Sequence, residues 1–196
     1  MKRIFDLIVS FAGLVLLSPC FLIIILIIKF KDKGHIFFKQ KRVGRNNKIF
    51  LLCKFQSMYP FQSSKEGDFE PGKISRVTRI GKFLRRTKLD ELPQLFNVFV
   101  GDMSFVGPRP EVKKWTEVYP EKWAKVHSVK PGITDNTSIE FRNEEELLSQ
   151  SQDPEETYRN VILPRKLDLY IDYVNNHTFF GDILIILRTI KAVLFR

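Results

Sequence analysis

The chain has 196 residues, enough for one domain with a real core. Lysine and arginine number 32 against 22 acids, a net charge of +10, so an anionic partner is expected: nucleic acid, an anionic membrane surface and nucleotide-sugar phosphates all qualify. Two cysteines, Cys20 and Cys53, make no disulfide framework, and the scattered His35, His127 and His177 make no zinc spacing, which fits a reducing, cytoplasm-facing location.

From Ile4 to Ile28 the chain is almost wholly apolar, broken by Asp6, Ser10 and the pair Ser18-Pro19. A straight helix of about 25 residues would be ~37 Å long and could cross a hydrocarbon core of ~30 Å, so a transmembrane anchor is the plain reading. A cleaved signal peptide fits less well, because the run is long and no small-residue cleavage site follows. Two features favour a re-entrant helix-break-helix instead. Lys2-Arg3 precede the run and Lys29, Lys31, Lys33, Lys39, Lys41 and Arg42 follow it, so both flanks prefer the cytoplasmic side. Pro19 removes a backbone donor and clashes with the preceding turn, and either half alone is too short to span.

Ile36-Phe37-Phe38 and Ile49-Phe50-Leu51-Leu52, separated by Gly44-Arg45-Asn46-Asn47, predict a β-hairpin. Its cations, Lys39, Lys41, Arg42, Arg45 and Lys48, are either a solvated face or a contact with anionic headgroups. Tyr59 to Ser75 lacks periodicity and reads as a mobile loop, a candidate lid. Arg76 to Thr87 reads as an amphipathic basic helix suited to lipid headgroups.

The stretch from Arg85 to Pro110, RRTKLDELPQLFNVFVGDMSFVGPRP, carries the chemistry. Leu89, Leu92, Leu95, Phe96 and Phe99 form a helical stripe that Gly101 stops. Pro93 is tolerated in a first turn, which puts the helix start near Asp90 with Thr87 or Asp90 as N-cap. Asp90 and Glu91 then sit where free N–H groups favour negative charge and bound anions. Acids at that position are commonly caps; a pair can also divide labour between nucleophile and metal ligand. Gly107-Pro108-Arg109-Pro110 is either an ordinary turn or a rigid mount for an arginine fork that grips phosphate.

Beyond Pro110 a helix is expected through about Val126. Asp153-Pro154-Glu155-Glu156 marks another helix start, with cap, first-turn proline and acids. Phe179 to Phe195 is apolar but short and interrupted by Asp182, Arg188 and Lys191, so it reads as a core or interfacial helix. There is no internal repeat.

The string LDELPQLFNVFVGDMSFVGPRP resembles the core signature of the bacterial sugar transferases, monotopic phosphoglycosyl transferases of the small catalytic-domain type. Further pieces match along nearly the whole chain: KRIFD at the start, the Ser18-Pro19 break, FKQKRVGRNNKIFLLCKFQSM, Lys130-Pro131-Gly132-Ile133-Thr134, and Leu163 to Asn176. Gln56-Ser57-Met58 departs slightly from the usual basic-Thr-Met. The continuation Asp135 to Phe141 departs strongly from the common Gly-Trp-Ala-Gln-Val, which bears on the donor pocket, while Arg142 keeps its spacing.

The resemblance implies an α+β, mainly helical fold. A re-entrant membrane anchor over 1–34 would continue into a cytoplasm-facing catalytic domain over 35–196, with a small hairpin and amphipathic interfacial helices. It implies transfer of a sugar-1-phosphate from a UDP-sugar to polyprenyl phosphate with release of UMP, on the cytoplasmic face of the bacterial inner membrane. In that scheme Asp90 is the nucleophile and Glu91 the magnesium ligand, while Lys54, Arg85, Arg109 and Arg142 bind phosphate. The rival reading is a non-enzymatic, membrane-tethered basic protein; no helix-turn-helix or aromatic ribonucleoprotein motif points to nucleic acid. Nor is there the D-x-D motif of nucleotide-fold glycosyltransferases. The sugar, the glycan and the oligomeric state are not written in the residues.

Overall fold

The N-terminal run folds as α1 (Lys2–Leu16) and α2 (Ser18–Lys31), bent by 58° at a one-residue break. In this computed structural model, which describes residues 1–31, 35–59 and 77–195, no single described helix is long and apolar enough to cross a membrane; the bent pair together is. Ser18-Pro19 makes the break chemically. Proline 19 cannot donate to the Val15 carbonyl four residues back, and Ser18 Oγ donates to that carbonyl at 2.7 Å instead. The polar interruptions of α1 face the protein: Ser10 and Asp6 are buried, and Asp6 Oδ1 accepts from Ser104 Oγ and the Phe105 amide. Ile4, Leu7, Ile8 and Phe11 of α1 and Leu22, Ile23, Leu26 and Phe30 of α2 stay exposed.

The hairpin is present as β1 (Phe37–Val43) and β2 (Ile49–Phe55), antiparallel with Gln40 opposite Leu52. Asn46 and Asn47 take the positive φ its turn needs. The predicted loop beyond Tyr59, with Lys33 and Arg76, lies outside the described residues. The basic helix is α3 (Arg79–Arg86), capped by Thr78 Oγ1 accepting from the Gly81 amide.

The helix start expected near Asp90 is corrected. Leu89–Glu91 forms a 3₁₀ turn entered through Lys88 in the left-handed region, and the α-helix α4 (Gln94–Val100) begins only after Pro93. Neither Thr87 nor Asp90 caps it; Thr87 Oγ1 donates back to the Phe83 carbonyl. The stripe shifts as well, because α1 packs along α4: Leu95, Asn97 and Val98 are buried and Phe96 is exposed. Gly101 stops the helix at φ +99°, as its placement requires.

Next come β3 (Ser104–Val106), α5 (Lys113–Thr116), α6 (Pro120–Val126) and β4 (Gly132–Thr134). The single helix expected to Val126 is two, because Pro120 starts a new one at its first position. β3 and β4 pair in parallel, Ser104 with Gly132 and Val106 with Thr134. A Cβ on Gly107 would run into the Lys130 carbonyl, so glycine permits this approach.

The remainder is helical: α7 (Asn136–Glu140), α8 (Glu144–Gln150), α9 (Pro154–Thr157), a π turn over Tyr158–Ile162, α10 (Leu163–Asn176) and α11 (Phe179–Leu194). Asp153 caps α9 by accepting from the Glu156 amide at 2.9 Å, as its sequence predicts. The main core joins Trp115, Trp123, Leu148, Tyr158, Leu163 and Leu167. A second core joins Ile24 and Ile28 of α2 to Phe55, Leu84, Leu89 and Leu92, which sets α2 against the Asp90-Glu91 turn.

Candidate active site

Asp90 and Glu91 are both buried, at 5% and 8% exposure. The 3₁₀ turn points them into different surroundings. Glu91 Oε1 accepts from Lys54 Nζ at 3.0 Å and from Arg109 Nη2 at 2.6 Å, while Oε2 has a longer contact of 3.4 Å with Arg109 Nη1. Lys54 comes from the end of β2, 37 residues away, and Arg109 from the proline-flanked loop after β3. Three segments thus converge on one carboxylate.

The electrostatics follow from this convergence. Burial alone would raise the Glu91 carboxyl, but Arg109 and Lys54 outweigh it and hold it well below the usual carboxylate range. Arg109 is pushed up, chiefly by Glu91. Lys54 goes down because burial outweighs the attraction of Glu91. Asp90 goes the other way from its neighbour. Burial raises it, Lys54 pulls it down, Glu91 pushes it up, and Lys88 and Arg85 pull it down again, with burial prevailing.

Asp90 Oδ1 is buried with no hydrogen-bond partner, and so is Nε2 of Gln94, one turn on. Buried polar atoms are nearly always paired. An unpaired carboxylate oxygen beside a doubly paired one is able to receive a ligand or to react. Sequence reasoning missed Gln94; its signal was a polar side chain inside the apolar stripe.

The other predicted residues divide. Arg85 lies in the last turn of α3, touches Met58 Sδ with Nη1 at 3.6 Å, and acts on the Asp90 carboxyl. Arg142 is exposed on the turn after α7 and has no hydrogen bond or ion pair with the other site residues among those described. Two further buried groups lie in the electrostatic reach of Arg109: the carboxyl of Asp135, in the stretch whose departure bears on the donor pocket, and the phenol of Tyr170, which carried no sequence signal for this site. Burial raises Asp135 although the Ser138 amide donates to it. The departure at Asp135 therefore sets a second carboxyl near the arginine.

Among the described residues no three His, Cys, Asp or Glu side chains gather into a cage for a metal ion. The pair still fits a hard divalent cation. Asp90 Oδ1 is free and Glu91 Oε2 is only loosely held, and magnesium commonly takes one or two carboxylates and completes its shell with phosphate oxygens and water.

A family model described as "Bacterial sugar transferase" matches residues 1–196. The Bacillus subtilis (strain 168) protein named "Uncharacterized sugar transferase EpsL" is 37% identical over 194 residues, covering 99% of this chain and 87% of that protein. "UDP-glucose:undecaprenyl-phosphate glucose-1-phosphate transferase" of Escherichia coli (strain K12) is 34% identical over 194 residues, 97% of this chain and 39% of its own. "Undecaprenyl-phosphate galactose phosphotransferase" of Salmonella typhimurium is 36% identical over 214 residues, 100% of this chain and 41% of that protein. This chain spans most of the first relative and under half of the other two.

Proposed function

We infer that this chain, which belongs to the bacterial sugar transferase family, moves a sugar-1-phosphate from a UDP-sugar to polyprenyl phosphate at the start of a glycan pathway. The observation that carries the reading is the divided acid pair: a buried Asp90 oxygen without a partner, beside a Glu91 already neutralised by Lys54 and Arg109. The names of relatives that transfer sugar phosphates to undecaprenyl phosphate support the same chemistry.

The proposed course has two displacements. A carboxylate oxygen of Asp90 attacks the sugar-bearing phosphorus of the UDP-sugar, the bond to the bridging oxygen breaks, and UMP leaves with that oxygen. A phosphate oxygen of polyprenyl phosphate then attacks the same phosphorus, and the Asp90 carboxylate departs. A carboxylate attacks an anion poorly unless the phosphate charge is met by cations. Arg85 and Lys54 supply fixed positive charge beside Asp90, and Arg109 presents a fork suited to phosphate. Arg142 is proposed to reach the donor from its exposed turn. Glu91, with the Asp90 oxygen, would hold magnesium, which supplies charge neutralisation on the transferred phosphate.

The two substrates live in different solvents, and the bent α1–α2 pair supports a re-entrant placement at the cytoplasmic leaflet of the inner membrane. Exposed apolar residues cover both helices while α2 packs against the Asp90 turn, which would hold the reaction at headgroup depth. Accessibility of an engineered N-terminal cysteine only from the periplasm would defeat that topology.

UMP release by the detergent-purified protein tests the reaction, using a panel of UDP-sugars with magnesium, with and without undecaprenyl phosphate. Release that Asp90→Asn abolishes, together with capture of phosphosugar on Asp90, is the expected result. Kinetics requiring both substrates bound together would overturn the two-step course. Glycan production insensitive to Asp90→Asn would favour a binding protein.

A further inference from the structure

A cavity of about 290 Å³ lies apart from the acid pair, neither member of which lines it. It opens where the start of α1 meets the β1–β2 turn, the loop before β4 and the end of α10. Lys2, Arg3, Arg45, Lys130, Asp6 and His177 line it.

The cations in it are unequally engaged. Lys2 Nζ donates to Asp182 Oδ2 at 2.6 Å, to the Tyr173 hydroxyl and to the Val106 carbonyl, so its three donors are used. Arg3 donates to the Val98 and Phe99 carbonyls at the end of α4 and has no carboxylate partner among the described residues. The side chains of Arg45 and Lys130 have no hydrogen bond or ion pair among the described residues. Lys130 also stands close to Arg3: a Cβ built on Gly101 would lie 3.1 Å from Arg3 Nη2 and 3.4 Å from Lys130 Nζ. Burial lowers Lys130, Arg3 and Arg45 lower it further, and Asp6 and Asp102 offset only part. With Lys2 matched by Asp182, three cations in the lining face the single carboxylate of Asp6.

We propose that this cavity is a phosphate-binding site, separate from the reaction centre, for a phosphate-bearing ligand that joins Arg45 and Lys130 across it. The lining carries more cations than carboxylates, so it favours an anion, and a phosphate monoester meets that surplus better than a single carboxylate. The volume admits a phosphate with part of its ester substituent. A guanidinium fork and an ammonium are the usual phosphate partners. The ligand is either an anionic lipid headgroup or a soluble phosphate ester. The inference stands apart from the proposed reaction, since none of these residues takes part in it.

Thermal unfolding of the detergent-solubilised full chain, with inorganic phosphate as probe, reads the site. Wild type should gain about 2–4 °C at saturating phosphate. Arg45→Gln with Lys130→Gln should lose at least half of that gain, yet match or exceed wild type in phosphate-free buffer, because repulsion with Arg3 is relieved. A purely structural role for the two side chains predicts the opposite in phosphate-free buffer. An equal loss in a control pair outside the cavity, Lys113→Gln with Lys122→Gln, would reduce the effect to net charge and overturn the site. So would an undiminished gain in the Arg45/Lys130 variant, or no gain in wild type.

Nanodiscs separate the sources. Stabilisation by phosphatidylglycerol over phosphatidylcholine without added phosphate, lost in the double variant, identifies a headgroup. Stabilisation that requires added phosphate in both lipids identifies a soluble ester.

Discussion

Two buried acid–cation networks sit on either side of the Arg109 loop, and they differ in one respect. Around Glu111 every partner is matched: Oε1 accepts from Arg42 Nη1 at 2.7 Å and from the Val112 amide, and Oε2 from the Tyr158 hydroxyl at 2.8 Å. Three more of the five Arg42 donors go to Gln40 Oε1 and the Pro110 carbonyl. Around Glu91 the same chemistry ends in an unpaired Asp90 oxygen. A closed network stabilises only the fold, whereas an open one keeps a desolvated group in readiness for something absent. Burial and charge pairing alone do not mark a site, and neither does an unpaired atom alone, since Trp115 Nε1 and His127 Nε2 are also buried without partners; what sets the Glu91 side apart is an unpaired carboxylate oxygen beside a paired carboxylate and its cations.

The sharpest way to break the comparison is Asp90→Asn. Activity should fall by about a thousandfold or more, as for loss of a nucleophile. Stability should move oppositely. The folded pKa of Asp90 lies above its ordinary 3.8, so folding disfavours the ionised form. That penalty is absent below about pH 3.8 and complete above the folded pKa. Asparagine removes it, so the variant should melt higher than wild type at pH 7 and not at pH 3. Equal stability at both pH values would mean the Asp90 oxygen finds a partner in solution.

Glu111→Gln should do the reverse. It leaves Arg42 buried without a countercharge, costing roughly 3–5 kcal/mol by analogy with broken buried pairs. The folded fraction should keep its rate within about tenfold. Urea unfolding together with UMP release from the same sample checks both. A larger loss of rate than of stability would put Glu111 in the site and erase the distinction.

A smaller effect concerns pH alone. The attacking carboxylate must be ionised, so the rate should rise with pH, with a midpoint above 3.8 because burial raises Asp90. Glu91 and Glu111 are depressed, so their contribution to stability is present above about pH 4.5 and is lost as pH falls below it. The rate normalised to the folded fraction read by circular dichroism should therefore show an acid limb with its midpoint above 3.8. A midpoint at or below 3.8 would show that Asp90 is not raised.

The contrast also explains what the residues revealed in advance. The proline-flanked Arg109 loop, the hairpin and the Ser18-Pro19 break were legible because each rests on local chemistry, a turn or a missing donor; the adjacency of Asp90 and Glu91 was legible too, but not the 3₁₀ turn that holds them. The parallel pair of β3 and β4 was not, since three-residue strands carry no periodicity and their contact depends on the Gly107 backbone meeting the chain near Lys130. The Glu111 network was hidden for the same reason. Gln40, Arg42, Glu111 and Tyr158 are polar residues scattered over more than a hundred positions, and only the folded chain brings them together. The late start of α4 was half legible: Pro93 was seen, but the 3₁₀ turn before it depends on Lys88 adopting φ 59°.

Tyr158→Phe sets the scale at the small end. The phenol is buried, its ring packs edge-on against Trp115 at 4.8 Å, and its hydroxyl donates to Glu111 Oε2. Phenylalanine keeps the ring and the packing and removes that donor. The cost should be about 1–3 kcal/mol, the usual penalty for depriving a buried acceptor of its partner, raised toward the upper end because the acceptor is charged. Glu111 should also become easier to protonate, since the Tyr158 hydrogen bond is one of the interactions holding its carboxyl low. The difference in stability between Tyr158→Phe and wild type should therefore shrink as the pH falls below about 4.5, where a protonated Glu111 no longer needs the donor. A difference independent of pH would mean that the hydroxyl is not donating to Glu111 and that its network has a gap.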